Sequence, residues 1–224
     1  MRMRIFILLG LLCSFALYTC CDDDEDNCPE LCDSSVPVVL DGTTIPEGRI
    51  DRNAFGCVVE LYLDNLQISS SNCLNGIEEY NQTLEKLYLS SNLLSSIDFS
   101  PLSSCRKLEI LNLSNNQLTH IDLSPLSNCE NLWYLSLCNN LLDSIGLSPL
   151  SSCTELEELN ISYNHIVSLD LQPLSELEFM RELYVHGMVA DTNYLDSISC
   201  AQICQFVTEH PNCTVHHECD CGKK

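Results

Sequence analysis

Basic residues are scarce in this sequence. Among its 224 residues, 10 are lysine or arginine and 32 are aspartate or glutamate, so the net charge is −22. This scarcity argues against a nucleic-acid-binding protein, because such binding depends on cationic side chains that displace counterions from phosphates. It also argues against docking on an anionic lipid surface through a basic patch. The charge favours an extracellular surface whose partners are basic proteins or divalent cations.

Long apolar stretches are also missing after the first residues. Beyond Leu17 no run approaches the roughly 20 apolar residues of a transmembrane helix, so no second membrane segment is predicted. The run Ile5–Leu17 follows Arg2 and Arg4, a pattern typical of a signal peptide, which we place at residues 1–19. The alternative is a buried N-terminal helix.

Two fates of the mature N-terminus remain open. Cleavage after Ala16 would release a secreted protein. The segment Leu17-Tyr18-Thr19-Cys20 also resembles a bacterial lipoprotein box, which implies lipidation of Cys20, and an acidic run follows it. We therefore expect a secreted or surface-anchored protein that reaches the membrane only through such a lipid.

Motifs for catalysis are absent. The chain has no nucleophile motif, no glycine-rich phosphate loop and no HExxH zinc sequence. A catalytic pair of Cys138 and His186 is conceivable, but the two residues belong to separate repeats. We predict that the protein is not an enzyme and uses no cofactor.

Cysteine, in contrast, is abundant. The 16 cysteines are typical of an exported protein, because disulfides persist in oxidising compartments. Several of them lie in the two flanks of the chain, on either side of a regular central part.

An internal repeat fills the centre of the chain. Four blocks of 24 residues follow one another without a gap, and they begin at Leu84, Leu108, Leu132 and Leu156. A longer copy precedes them at 58–83, and a degenerate copy begins at Met180. Each block opens with LxxLxL, in which the last two apolar residues are two apart and face the same side of a strand. Stacked copies would bury these residues in one core and pair the strands in a parallel sheet.

Three further columns recur with the same period. Asparagine side chains should satisfy backbone groups where the chain leaves each strand; they are Asn92, Asn116, Asn140 and Asn164. Serine-proline or glutamine-proline pairs, at 100–101, 124–125, 148–149 and 172–173, predict an N-cap followed by one short helical or 3-10 turn per repeat. A cysteine column is interpreted as buried thiols rather than as a metal site; its members are Cys105, Cys129 and Cys153.

These blocks resemble the leucine-rich repeat, LxxLxLxxNxL, over residues 58–188. The resemblance implies an α/β fold, a right-handed solenoid with a parallel concave sheet, short helical or 3-10 turns on the convex side, and disulfide-rich caps. The caps would be residues 20–57, which include the acidic leader, and residues 189–224. The resemblance also implies that exposed strand positions bind a protein or another extracellular macromolecule.

The two flanks carry the residues expected of such caps. The segment Cys28-Pro29-Glu30-Leu31-Cys32 resembles the start of the disulfide cap in extracellular members of the family. Turns at Asp41-Gly42 and Pro46-Glu47-Gly48 predict a small hairpin before the first repeat.

A helix is predicted in the C-terminal flank from about Tyr194 to His210. Cys200 and Cys204 share one face of this helix. Their expected disulfide partners lie beyond it and are Cys213, Cys219 and Cys221. These three cysteines, with His216 and His217, also have the ligand types of a zinc site, but their spacing is not a recognised zinc pattern.

The candidate binding site consists of exposed strand positions rich in aromatic and acidic residues, because aromatic side chains are common anchors of protein interfaces. Its members are Tyr88, Ile110, Trp133, Tyr134, Glu157, Glu158 and Tyr163. The chain also has four N-glycosylation sequons, at Asn81, Asn112, Asn160 and Asn212. Glycans at the second and third of these would obstruct the strands. The competing hypothesis is a structural cell-envelope lipoprotein without a specific ligand.

Overall fold

The computed structural model describes residues 37–187 and 200–217. The predicted signal peptide, the lipidation candidate Cys20 and the cysteine pair at 28–32 lie outside these residues. The same holds for Cys219 and Cys221, and for the first turns of the predicted C-terminal helix. Within the described ranges, no helix is both long enough and apolar enough to span a bilayer.

One eight-stranded sheet runs through the described chain, and its strands stand in sequence order. They are β3 (Ile50–Arg52), β4 (Val58–Tyr62), β5 (Lys86–Tyr88), β6 (Ile110–Asn112), β7 (Tyr134–Ser136), β8 (Glu158–Asn160), β9 (Glu182–Tyr184) and β10 (Thr214–His216). Neighbours from β4 to β10 pair in parallel, which confirms the predicted parallel sheet. The first pair, β3 with β4, is antiparallel.

The two end strands of this sheet, β3 and β10, come from the flanks. The N-terminal flank also forms a separate two-stranded hairpin of β1 (Val39–Leu40) and β2 (Thr43–Thr44). It turns at Asp41 and Gly42, where both residues have positive φ of 47° and 72°. This is the geometry of a tight hairpin turn. At the other end β10 adds a strand that the repeat pattern does not predict.

The core consists of the inward leucines of the repeats. Leu87, Leu111, Leu135 and Leu159 are direct register partners on successive strands, and all are fully buried. A buried leucine contributes about 1.5–3 kcal/mol, so each repeat is stabilised mainly by the repeats beside it. A second buried column was not predicted and stands just before each proline pair; it comprises Phe99, Leu123, Leu147 and Leu171.

The asparagine column joins neighbouring repeats through the backbone. The Asn140 amide donates to the carbonyls of Leu113 and Leu137, at 3.0 Å each, and its Oδ1 accepts the Leu118 N–H at 3.1 Å. Asn92, Asn116 and Asn164 make the equivalent bonds. Each side chain therefore satisfies backbone groups that the strands leave unpaired.

The predicted turns are 3-10 turns at Ser100–Ser104, Ser124–Asn128, Ser148–Ser152 and Gln172–Leu174. The predicted serine N-cap is wrong, because each turn begins one residue earlier and its N-cap side chain is apolar. An aspartate two residues before the serine caps the turn instead, by accepting the serine N–H. Asp98 accepts the Ser100 N–H at 2.9 Å, and Asp122 accepts the Ser124 N–H at 2.9 Å. These serine hydrogen bonds lower the pKa of both aspartates.

The cysteine column consists of free, buried thiols, as predicted. Burial raises the pKa of Cys105 to about 11, and that of Cys129 and of Cys153 to about 12. The Cys153 thiol donates to the Leu126 carbonyl of the preceding repeat at 3.5 Å. Thiols with such pKa values are protonated and unreactive at neutral pH.

The C-terminal flank forms helix α1 (Cys200–Glu209), which ends one residue before the predicted end. Cys204 and, in the N-terminal flank, Cys57 are disulfide-bonded. Cys213 is a free, buried thiol, so its predicted role as a disulfide partner is wrong. It directly precedes β10 and belongs to the hydrophobic core. Cys73, in the insertion of the first repeat, is also free and buried.

Candidate functional site

The exposed face of the sheet, which we call the strand face, carries two rows of side chains that cross every repeat. The first row is Glu60, Lys86, Ile110, Tyr134, Glu158 and Glu182. The second row is Tyr62, Tyr88, Asn112, Ser136, Asn160, Tyr184 and His216. Adjacent members of a row stand on paired strands, about 4.8 Å apart, so they can contact each other and a shared ligand.

At the N-terminal end, the strand face is occupied by its own contacts. Lys86 Nζ lies 2.7 Å from Glu60 Oε1, and the Tyr62 hydroxyl donates to the same carboxylate. The rings of Tyr62 and Tyr88 stack with centroids 5.1 Å apart. Burial alone would raise the pKa of Glu60, but the bonds from Lys86 and Tyr62 lower it below its ordinary value.

The centre of the strand face is aromatic and apolar. Trp133, which directly precedes β7, and Tyr134, the first residue of β7, form an edge-to-face pair with ring centroids 5.9 Å apart. Trp133 is 36% exposed, and Ile110 stands directly beside Tyr134 on β6. Burial is the main cause that raises the pKa of the Tyr134 hydroxyl, so this ring is partly removed from water. An exposed tryptophan beside a half-buried tyrosine is a typical interface anchor.

The C-terminal end is acidic, and among the described residues not every carboxylate there has an ion-pair partner. Glu182 Oε2 lies 2.8 Å from His216 Nε2, and the His216 ring stacks on Tyr184 at 4.1 Å. Glu157 pairs with Arg181 at 3.0 Å. Burial and the charge of Glu182 raise the pKa of Glu158, although His216 partly opposes this.

Tyr163 lies where the chain leaves β8. Its backbone has φ of 54°, and its ring contacts His186 edge-on with centroids 4.9 Å apart. The ring covers Gly187, where an added Cβ would lie 2.5 Å from the Tyr163 Cδ1. The glycine thus allows the tyrosine ring to lie against the backbone of the next repeat.

The structure brings together five of the seven predicted site residues, on three neighbouring strands and the residues that lead into them. These are Ile110, Trp133, Tyr134, Glu157 and Glu158. The other two belong to different groups, because Tyr88 stacks on Tyr62 and Tyr163 packs on His186. The sequence analysis named His216 only as a zinc-type ligand and did not place it on the strand face, since it did not predict β10. The alternation around Val215, with polar residues on both sides, was the available signal.

Two sequons lie in the second row of the strand face. Asn112 and Asn160 stand on either side of Ser136. Their Oδ1 atoms accept the backbone N–H groups of Ser114 and Ser162, at 3.0 and 3.1 Å. A glycan on either asparagine would cover the middle of the face.

The described residues contain no group of three or more histidine, cysteine, aspartate or glutamate side chains placed to hold a metal ion. Cys138 follows β7 and His186 follows β9, so a full repeat separates the two residues considered for catalysis.

Comparison with known families gives one match. The family described as "Leucine rich repeat" matches residues 82–142 and 130–187. A comparison with curated protein sequences found no match.

Solved structures with similar folds include two bacterial proteins. A leucine-rich-repeat protein of Leptospira interrogans has a TM-score of 0.57 and 21% identity over 70% of this chain and 36% of its own. The functional domain of InlJ from Listeria monocytogenes, described as including a cysteine ladder, has a TM-score of 0.52 and 21% identity over 76% of this chain and 32% of its own. This chain thus spans about a third of the length of these two proteins.

A plant-type receptor fold is also similar. Pollen receptor kinase 3 has a TM-score of 0.57 and 18% identity over 76% of this chain and 77% of the solved chain. At these identities the likeness extends to the fold of the repeats.

Proposed function

We propose, from the premise that this chain belongs to the leucine-rich-repeat family, that it is a module that binds a protein outside the cell through its strand face. The observation that carries the proposal is the exposed pair of Trp133 and Tyr134 at the centre of that face. Ile110 extends the apolar surface on one side, and Glu157 and Glu158 border it on the other. Such a combination of an aromatic centre and a charged rim is typical of protein interfaces.

We also propose an extracellular location, which suits this role. The N-terminal residues have the pattern of a signal peptide, and Cys57 and Cys204 are disulfide-bonded, as expected in an oxidising compartment. We propose export through residues 1–19, followed either by secretion or by lipid anchoring at Cys20. Disulfide-rich caps in residues 20–57 and 189–224 would then protect the ends of the repeat core.

The second candidate is a structural cell-envelope protein without a specific ligand. The sequons at Asn112 and Asn160 favour it, because glycans there would cover the strand face. Mass spectrometry of the protein from its native host decides this point. Unmodified peptides at both positions are expected for a binding module, and full occupancy would support the envelope role.

Site-specific photocrosslinking tests the binding proposal. A benzophenone amino acid replaces Trp133 in the native host, and a matched variant carries it at Ser152, an exposed residue of a 3-10 turn. We expect a discrete crosslinked protein at position 133 and none at 152. Crosslinks at 152 alone would place binding on another surface, and crosslinks at neither position would favour the envelope role.

A further inference from the structure

The carboxylates of the first row differ in whether they have a side-chain partner. Glu60 has Lys86 at 2.7 Å, and Glu182 has His216 at 2.8 Å. Glu158 has neither a hydrogen bond nor an ion pair with any side chain in the described part of the chain. It is therefore the first-row carboxylate that forms no ion pair with the described residues.

The surroundings of Glu158 make a charge without a partner costly. The side chain is half-buried, and Glu182 is its direct neighbour on β9. Burial and that neighbouring charge both oppose ionisation of Glu158, and His216 offsets them only in part. Two like charges at this separation in a partly desolvated position repel each other, and a cation placed between them would relieve both effects.

On its other side Glu158 faces aromatic rings. Tyr134 is its direct neighbour on β7, and Trp133 packs edge-on against Tyr134. An arginine guanidinium combines the two interactions that this arrangement offers, because it binds a carboxylate with two parallel hydrogen bonds and stacks on aromatic faces. Lysine offers a compact charge without the planar surface.

The overall charge agrees with a basic partner. A net charge of −22 attracts cationic proteins and raises their rate of association. A divalent cation is disfavoured because the described residues provide no cluster of three or more suitable ligands.

We propose that the partner docks on the strand face through a basic segment, and that one of its arginines binds the Glu158 carboxylate with its guanidinium against the Tyr134 ring. This inference rests on the proposed function and specifies its partner. The central aromatic pair provides the apolar contact, and Glu158 provides the selectivity for arginine.

The only tryptophan of the chain is Trp133, so its fluorescence reports directly on this site. The probe is a tryptophan-free peptide of repeated Gly-Arg-Ser units, titrated into the full chain, and a Gly-Lys-Ser peptide of equal length is the comparison. We expect saturable change with the arginine peptide and several-fold weaker binding of the lysine peptide. Glu158→Gln should weaken arginine-peptide binding about tenfold, whereas Glu130→Gln, an exposed site on the turn that precedes β7, should leave it unchanged. Both variants remove one negative charge.

Equal losses in the two variants would show that only the net charge attracts the peptide, and would overturn the inference. Equal affinity for the arginine and lysine peptides would overturn it as well. The proposed function is tested separately by the crosslinked partner. If that partner still binds Glu158→Gln with unchanged affinity but loses Trp133→Ala, the binding role holds and the arginine inference fails. If neither variant affects the partner, the proposed use of the strand face fails.

Discussion

The two ends of the strand face share one scaffold but differ in how their polar groups are satisfied. At the N-terminal end, Lys86 and the Tyr62 hydroxyl both bind the carboxylate of Glu60. At the C-terminal end, Glu158 stands between an aromatic ring and a second carboxylate. Both ends have the same strand spacing and the same buried leucines beneath them.

This difference teaches where function is encoded in a stacked-repeat protein. The inward residues are nearly invariant from block to block, so they set the scaffold and carry little information about partners. Each exposed position has neighbours from the adjacent repeats, and one substitution decides whether a carboxylate is paired or left for a ligand. A charge that lowers the stability of the fold is tolerated where activity needs it.

The largest expected effect tests whether the asparagine column stabilises the two ends of the strand face equally. Asn92→Ala, at the N-terminal end, and Asn164→Ala, at the C-terminal end, each remove a side chain that donates to backbone carbonyls and accepts at least one backbone N–H. Since buried backbone groups lose their partners, each variant should lower the free energy of unfolding by about 3 kcal/mol. Chemical denaturation measures this, with exposed Asn131→Ala as the control. Unequal losses in the two variants would mean that the scaffold differs between the ends.

The next effect concerns the C-terminal end alone. Gly187→Ala should lower the free energy of unfolding by about 1–2 kcal/mol, because φ is +63° and a left-handed backbone is costly with a Cβ. The methyl group should also displace the Tyr163 ring from His186, which NMR shifts of the histidine ring would detect. Gly48→Ala, where an added Cβ meets nothing within 4 Å, is the control. A stable variant with unchanged histidine shifts would contradict the assigned packing.

Neutralising Glu60, which has an ion-pair partner, and Glu158, which has none among the described residues, should change the free energy of unfolding in opposite directions. The pKa of Glu60 is lowered in the folded state, so its ionisation stabilises the fold above its unfolded pKa, and this contribution is lost as the pH falls through the lowered pKa. The pKa of Glu158 is raised, so its ionisation costs stability above the raised pKa. At pH 7, Glu60→Gln should therefore destabilise by about 0.5–1 kcal/mol and Glu158→Gln should stabilise by a few tenths.

Thermal melts at several pH values measure both effects. In acid, below the pKa values of both carboxylates, the two variants should match the parent chain. Effects of the same sign at pH 7 would break the proposed contrast between the ends.

The smallest expected effect attempts to convert one end into the other. Lys86→Met leaves the Glu60 carboxylate without its cation, and the Tyr62 hydroxyl remains as its partner. We expect a second, weaker binding event for the arginine peptide, with affinity raised about threefold over the nonspecific level. Calorimetric titration counts the sites, and Lys107→Met, which lies outside the strand face, is the control. Unchanged stoichiometry would show that pairing alone does not distinguish the ends.

Much of the fold could be predicted because its signals are local and periodic. The spacing of Leu87 and Leu89 specifies a strand face, and its recurrence every 24 residues specifies stacking. The proline residues predicted the 3-10 turns. They did not predict the capping aspartates, because an aspartate two residues upstream and a serine are equally good acceptors for the first N–H groups of a turn. The strand β10 could not be predicted, because a three-residue strand becomes stable only by pairing with β9.

The candidate site was predicted in part for the same reason. The repeat register alone places Ile110, Trp133, Tyr134 and Glu158 on neighbouring strands, so their proximity followed from the sequence. The stacking of Tyr88 on Tyr62 and the packing of Tyr163 over Gly187 depend on ring orientations and on backbone angles, which the register does not specify.

By itself, the sequence determined the repeat period, the inward leucines, the asparagine column and the acidic character of the surface, because each follows from spacing or composition. Only the tertiary structure decided which charges are balanced. Glu60 and Glu158 occupy equivalent positions in their repeats, and the register places neighbours beside each of them without showing which side chains form bonds. Pairing across strands gives the first a lysine at 2.7 Å and the second a carboxylate and a tyrosine, and the energy of a charge depends on its neighbours in space.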